Sequence, residues 1–126
     1  MNRVMSLPRP VPDALVELIA HRMQVLGQPL RIRVIDLLEQ RGETTVQAIA
    51  DQLGTSSQNV SKHLSQLLRA GVLTRRQDGR TVWYALADRS VISLYDHVAQ
   101  GLGRQLHELS VALGATPPAM PSTQTE

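Results

Sequence analysis

The sequence predicts a mainly α-helical chain of five helices with one small β-hairpin, arranged as a winged helix-turn-helix. Three observations predict it. Two short helix-forming stretches, 45–53 and 56–70, meet at Gly54, a residue that allows a tight or left-handed turn. Two strand-like runs, 72–77 and 80–86, flank Asp78-Gly79, a strong hairpin signal. Apolar residues recur at helical spacing on both sides of this unit.

In chain order, residues 1–12 hold three prolines and read as a flexible arm. Asp13 is placed to cap a first helix carrying Leu15, Leu18, Ile19 and Leu26 at helical spacing. Gly27-Gln-Pro29 breaks that helix, and Pro29 suits the first turn of the second. Leu30, Val34, Ile35, Leu37 and Leu38 give the second helix an apolar face, and Arg41-Gly42 ends it. Ser56 or Ser57 caps the fourth helix, and Gly71 stops it. A last helix over 90–113 carries Val91, Tyr95, Val98, Leu102, Leu106, Leu109 and Leu113 as one continuous stripe. Gly101 and Gly103 weaken that helix by roughly 1 kcal/mol each relative to Ala, and would let another helix approach closely. The winged unit with its flanking helices is thus expected over 13–113, and a disordered tail with three prolines over 114–126.

At 126 residues the chain has room for one domain with a small core. One Trp, two Tyr and no Phe leave that core to aliphatic residues, and such a core is often completed by a second copy. The absence of cysteine excludes disulfides, thiol sensing and thiolate metal sites. No apolar run nears the roughly 20 residues that span a bilayer, and the first residues lack a secretion signal, so a cytoplasmic protein without a membrane partner is expected.

The net charge of +2 says little about partners, so the distribution of charge must decide. The outward face of the fourth helix presents Ser56, Ser57, Gln58, Asn59, Ser61, Lys62 and Ser65. A solvent face with no other task more often carries Glu and Lys; short polar side chains suit base edges and phosphates. Arg75, Arg76 and Arg80 gather positive charge at the hairpin tip, where a groove or phosphate backbone could sit. Ala50 and Gly54 are small where two helices must cross, and Ile49, Leu53, Val60, Leu64 and Leu67 supply the apolar contacts. The pattern predicts binding to double-stranded DNA. A protein-interaction module built on the same fold is the rival reading.

The segments 26–38, 50–54, 60–64, 68–73 and 78–86 together resemble the ArsR/SmtB family of bacterial repressors. The resemblance covers about residues 13–113. It implies a homodimer on a palindromic operator, an inducer that releases it, and an interface made by the first and last helices. Leu15, Leu18, Ile19, Val91, Tyr95, Val98, Leu102, Leu106 and Leu109 are the residues placed to form that interface. One family metal site uses two cysteines at positions that here are Thr45 and Gln47. A second uses carboxylates and histidines at positions that here are Asp88, Ser90, Gly101 and Arg104. Neither set survives, and no cofactor is required.

Four histidines remain. His63 falls at an inward-facing helix-turn-helix position, where a packed, hydrogen-bonded imidazole is expected. His97 and His107 lie ten residues apart, roughly 15 Å along the helix axis, so one helix cannot chelate an ion with both. Two antiparallel last helices crossing near Leu102 could pair His97 of one subunit with His107 of the other around nickel, cobalt or zinc. Ordinary surface histidines are the simpler reading. No phosphate loop, nucleophile elbow or hydrolase His-Glu pair is present, so the sequence predicts a binder rather than an enzyme.

Overall fold

A computed structural model describes residues 6–114. The parts of the expected flexible arm over 1–5 and of the expected tail over 115–126 lie outside the described residues. The elements are α1 (Asp13–Leu26), α2 (Pro29–Arg41), α3 (Val46–Leu53), α4 (Ser57–Arg69), β1 (Leu73–Asp78), β2 (Thr81–Leu86) and α5 (Ser90–Ala112). Among the described residues there are five helices and one antiparallel hairpin, as the sequence predicts. The chain divides into two compact units, Met1–Asp88 and Arg89–Glu126.

Two local expectations are corrected. Asp13 is the first helical residue rather than the cap; Pro12 holds the cap position, and its carbonyl accepts from the Leu15 and Val16 amides at 3.0 Å. An acidic residue is as well suited to the first turn as to the cap, because both meet the positive end of the helix. The hairpin turn is Gly79-Arg80, one residue later than expected, since Asp78 still pairs with Thr81. Of these two turn residues Gly79 takes a positive φ, 61°, and Arg80 does not, which matches a turn with glycine at its first central position. Arg80 is thereby placed in the tip itself.

The core of the first unit sits between α2, α3 and α4, closed by the start of β1. Val34, Ile35, Ile49, Val60, Leu64, Leu67 and Val72 are fully buried. α4 packs on α1, α2, α3 and β1 and is the central strut of the unit. One buried cation crosses this core. Arg31 donates from Nη1 to the Val25 carbonyl at 3.1 Å and from Nε to His63 Nδ1 at 3.0 Å. It joins the end of α1, the start of α2 and the middle of α4, and it satisfies a carbonyl that the ending helix leaves without a partner. The inward, hydrogen-bonded imidazole expected at His63 is present.

The second unit is α5. Val91, expected in a subunit interface, is 2 % exposed. Tyr95 is half-buried, and burial pushes its phenol up to about 12. The outer stripe begins later, at Val98, Leu102, Leu106 and Leu109, all exposed. On α1, Leu18 is exposed while Leu15 and Ile19 are half-buried.

Candidate nucleic-acid interface

The candidate surface is built by two caps and one glycine. Thr45 Oγ1 accepts from the Ala48 amide at 3.2 Å and starts α3. Gly54 ends α3 in the left-handed region, φ 67° and ψ 37°, with its amide on the Ala50 carbonyl. Only glycine takes that conformation without a Cβ penalty, and the Thr55 amide then reaches the same carbonyl at 3.1 Å. Ser56 Oγ accepts from the Asn59 amide at 3.1 Å and starts α4 in its new direction. Ile49, Val60, Leu64 and Leu67 bury the inner faces of both helices, with Ala50 small at the crossing. Burial of one face fixes the rotation of α4, and so fixes which residues it shows to solvent.

Those residues are the ones the sequence singled out. Ser56, Gln58, Asn59, Ser61, Lys62 and Ser65 are exposed, and Ser57 is partly so. Several already have partners. Ser65 Oγ donates to the Ser61 carbonyl at 2.9 Å, and Asn59 Nδ2 donates to Thr55 Oγ1 at 3.1 Å. Ser57 Oγ donates to Gln47 Oε1 at 3.0 Å, and Gln47 Nε2 donates to Asp51 Oδ1 at 2.8 Å. Gln58 and Lys62 extend outward from the same face.

The wing is anchored to the segment before α3. The amide and carbonyl of Thr44 pair with those of Tyr84 at 2.9 and 2.8 Å. That bridge brings Glu43 beside the hairpin, where Arg76 donates to both its carboxylate oxygens at 2.8 and 2.7 Å. The Arg76 guanidinium also lies 5.9 Å from the centroid of the Trp83 ring, its cross-strand partner, and 3.9 Å from Asp78. The hydrogen bond from Arg76 holds the Glu43 carboxyl below its ordinary range, and Glu43 raises Arg76 in return. Arg76, expected as a free groove or phosphate contact alongside Arg75 and Arg80, is thus a side chain with its charge already matched. Arg75 faces the opposite side of the ribbon, across from Tyr84, and is exposed like Arg80.

Sequence reasoning missed Glu43, Gln47, Asp51 and Arg31. Gln47 and Asp51 stand four apart on α3, a spacing that signals a side-chain pair. Glu43 and Arg76 are 33 residues apart, and only the folded wing brings them together.

Residues 26–76 match the family model of a helix-turn-helix domain. Rv0081 of Mycobacterium tuberculosis, an HTH-type transcriptional regulator, is 31 % identical over 96 residues, covering 76 % of this chain and 84 % of the relative. Its crystal structure superposes with a TM-score of 0.69, over 77 % of this chain and 97 % of that one. The HTH-type transcriptional repressor SmtB of the same organism is 32 % identical over 83 residues, 66 % of this chain and 61 % of the relative. The homodimeric winged helix-turn-helix domain of Mb0332 from Mycobacterium bovis, a possible ArsR-family regulator, gives a TM-score of 0.64 at 28 % identity, over 78 % of this chain and 90 % of that one.

The chain belongs to the ArsR/SmtB family of winged helix-turn-helix regulators. It is a DNA-binding transcriptional regulator.

The metal positions of this family hold residues with other tasks here. Thr45 is the cap of α3, and Gln47 is tied to Asp51 and Ser57, so a thiolate pair is replaced by a structural hydroxyl and an amide. On the second set, Ser90, Gly101 and Arg104 give no carboxylate or imidazole, and Asp88 faces Arg22 at 3.8 Å. Neither set fits a metal. His97 and His107 are exposed on α5, with His97 Nδ1 2.7 Å from the Ser93 carbonyl. Among the described residues no group of three or more His, Asp or Glu could hold an ion. No described helix is long and apolar enough to cross a membrane.

Proposed function

We propose that the protein is a cytoplasmic homodimeric repressor that lays the two α4 helices of a dimer into successive major grooves of a palindromic operator. The observation that carries this reading is the exposed face of α4, made of Ser, Gln and Asn side chains with Lys62 and, at the helix end, Arg69, beside a wing whose Arg75 and Arg80 are free of the clamp on Arg76. Lys62, Arg75 and Arg80 supply charge to phosphates or groove edges, independent of sequence. Ser57, Gln58, Asn59 and Ser61 read base edges, while Ser56 and Ser65 border them. Gln58 is the outward side chain able to make two hydrogen bonds with adenine.

A second copy is supported by the apolar side chains left in water. On α1, Leu18 is 67 % exposed beside a groove of about 600 Å³ lined by Ile19, Met23, Val25 and the end of α4. On α5, Leu102 is 53 % and Leu109 56 % exposed. Burying these residues is favourable, at about 25 cal/mol per Å² of apolar surface. Two half-sites about 10 base pairs apart follow from twofold symmetry.

Selection of binding sequences from a random duplex pool, followed by anisotropy titration over a range of salt, tests the proposal. A palindromic site with two protomers bound, and affinity falling steeply with salt, is the expected result. Protein that ignores duplex DNA at low ionic strength would instead favour a winged helix that binds another protein.

A further inference from the structure

The three-residue chain Asp51–Gln47–Ser57 sets what kind of base α4 can read. An ionised aspartate only accepts hydrogen bonds, so the Gln47 nitrogen faces Asp51 Oδ1 at 2.8 Å. That orientation turns Gln47 Oε1 toward Ser57, at 3.0 Å. An amide oxygen cannot donate, so the contact is attractive only if the Ser57 hydroxyl gives its one hydrogen to it. Ser57 Oγ is left with lone pairs alone. Serine is ordinarily a neutral reader, able to donate or accept; here its polarity is fixed from behind by α3.

Resting on the operator-binding reading above, we propose that Ser57 is a dedicated acceptor for the exocyclic amine of adenine or cytosine in the major groove, and that Gln47 and Asp51 are the positioning residues that make it so. Guanine O6 and N7 and thymine O4 are acceptors and meet the same lone pairs unfavourably. Gln47 and Asp51 are exposed α3 residues that the helix-turn-helix core does not need.

The test measures affinity for the selected operator with all four base pairs placed in turn at each position. Wild type is expected to show one position in each half-site where an amine-bearing base is preferred about five- to tenfold, the size of one net hydrogen bond. Ser57→Ala should erase that preference and leave the others. Gln47→Leu frees the hydroxyl hydrogen, so the preference should fall below about twofold or pass to guanine or thymine, with the salt slope unchanged. Asp51→Asn should relax it in the same way, because an asparagine partner accepts either orientation of the Gln47 amide. Unchanged thermal melting of each variant shows that the fold is intact. The proposal is overturned if the position that depends on Ser57 prefers guanine or thymine in wild type, if Gln47→Leu leaves it untouched, or if Gln47→Leu weakens every position equally. Wild type with no salt-dependent duplex affinity would be a different failure, that of the operator-binding reading, and would take this proposal down with it.

Discussion

His63 shows how one residue carries both fold and pH response. Burial lowers its pKa from the ordinary 6.5, and the nearby cations Arg31 and then Lys62 lower it further. Arg31 Nε donates to its Nδ1, which requires the neutral ring. The folded state therefore binds fewer protons than the unfolded state below the ordinary pKa, and stability rises with pH there. Melting temperature should be insensitive to this group above about pH 7 and should decline as the pH falls through 6.5. His63→Gln keeps an acceptor for Arg31 and should remove that part of the decline. His63→Leu strands the Arg31 nitrogen in a buried site and should cost about 1–3 kcal/mol at neutral pH. Equal pH dependence of melting in wild type and His63→Gln would refute this account. The inward position of His63 was legible from its place in the helix-turn-helix pattern. Its partner was not: Arg31 lies 32 residues away among arginines that look alike in sequence, and nothing local says which one turns inward.

At the scale of elements, the wing divides its arginines between two tasks. Charge at the hairpin tip was legible because Arg75, Arg76 and Arg80 cluster around a turn signal. The division was not, because it depends on alternation across β1 and on the Thr44–Tyr84 bridge that sets Glu43 beside Arg76. The turn itself was misplaced by one residue for a similar reason: a strand register is fixed by pairing across the ribbon, which a single strand does not reveal. Because Arg76 is held by Glu43 and Trp83, its loss should loosen the wing without removing a phosphate contact. Arg75→Ala and Arg80→Ala should each reduce the slope of log affinity against log salt by about 0.9 per protomer, so about 1.8 for a bound dimer. Arg76→Ala should lower affinity and leave that slope nearly unchanged, and Glu43→Gln should resemble it. If Arg76→Ala instead reduces the slope as much as Arg75→Ala does, the clamp opens on DNA and Arg76 reaches a phosphate after all. The helices were more legible than the wing because their signals are local: a cap at Ser56, a glycine at Gly54, and an apolar period that names the buried face.

The whole molecule is governed by what the single chain leaves uncovered. The sequence showed the α5 stripe as continuous from Val91 to Leu113, because periodicity marks a face without saying what lies on it. Exposure varies along that stripe: Val91 is buried, Tyr95 is half-buried, and Leu102, Leu106 and Leu109 are exposed. The exposed outer stretch is the part of α5 proposed to meet a second copy. Gly101 and Gly103, beside Leu102, permit the close approach that such a meeting needs. Two linked half-site contacts bind far more tightly than one, because the second forms at high effective concentration. Leu102→Glu combined with Leu106→Glu places charge where the partner helix would pack. It should shift the protein to a monomer by light scattering and weaken binding to the full operator by at least about a hundredfold. The α4 face is untouched by this change, so the residual affinity should equal that of wild type for an isolated half-site. A double variant that remains dimeric, or a wild type that occupies the operator as one protomer, would remove α5 from the interface and leave its exposed leucines without that role.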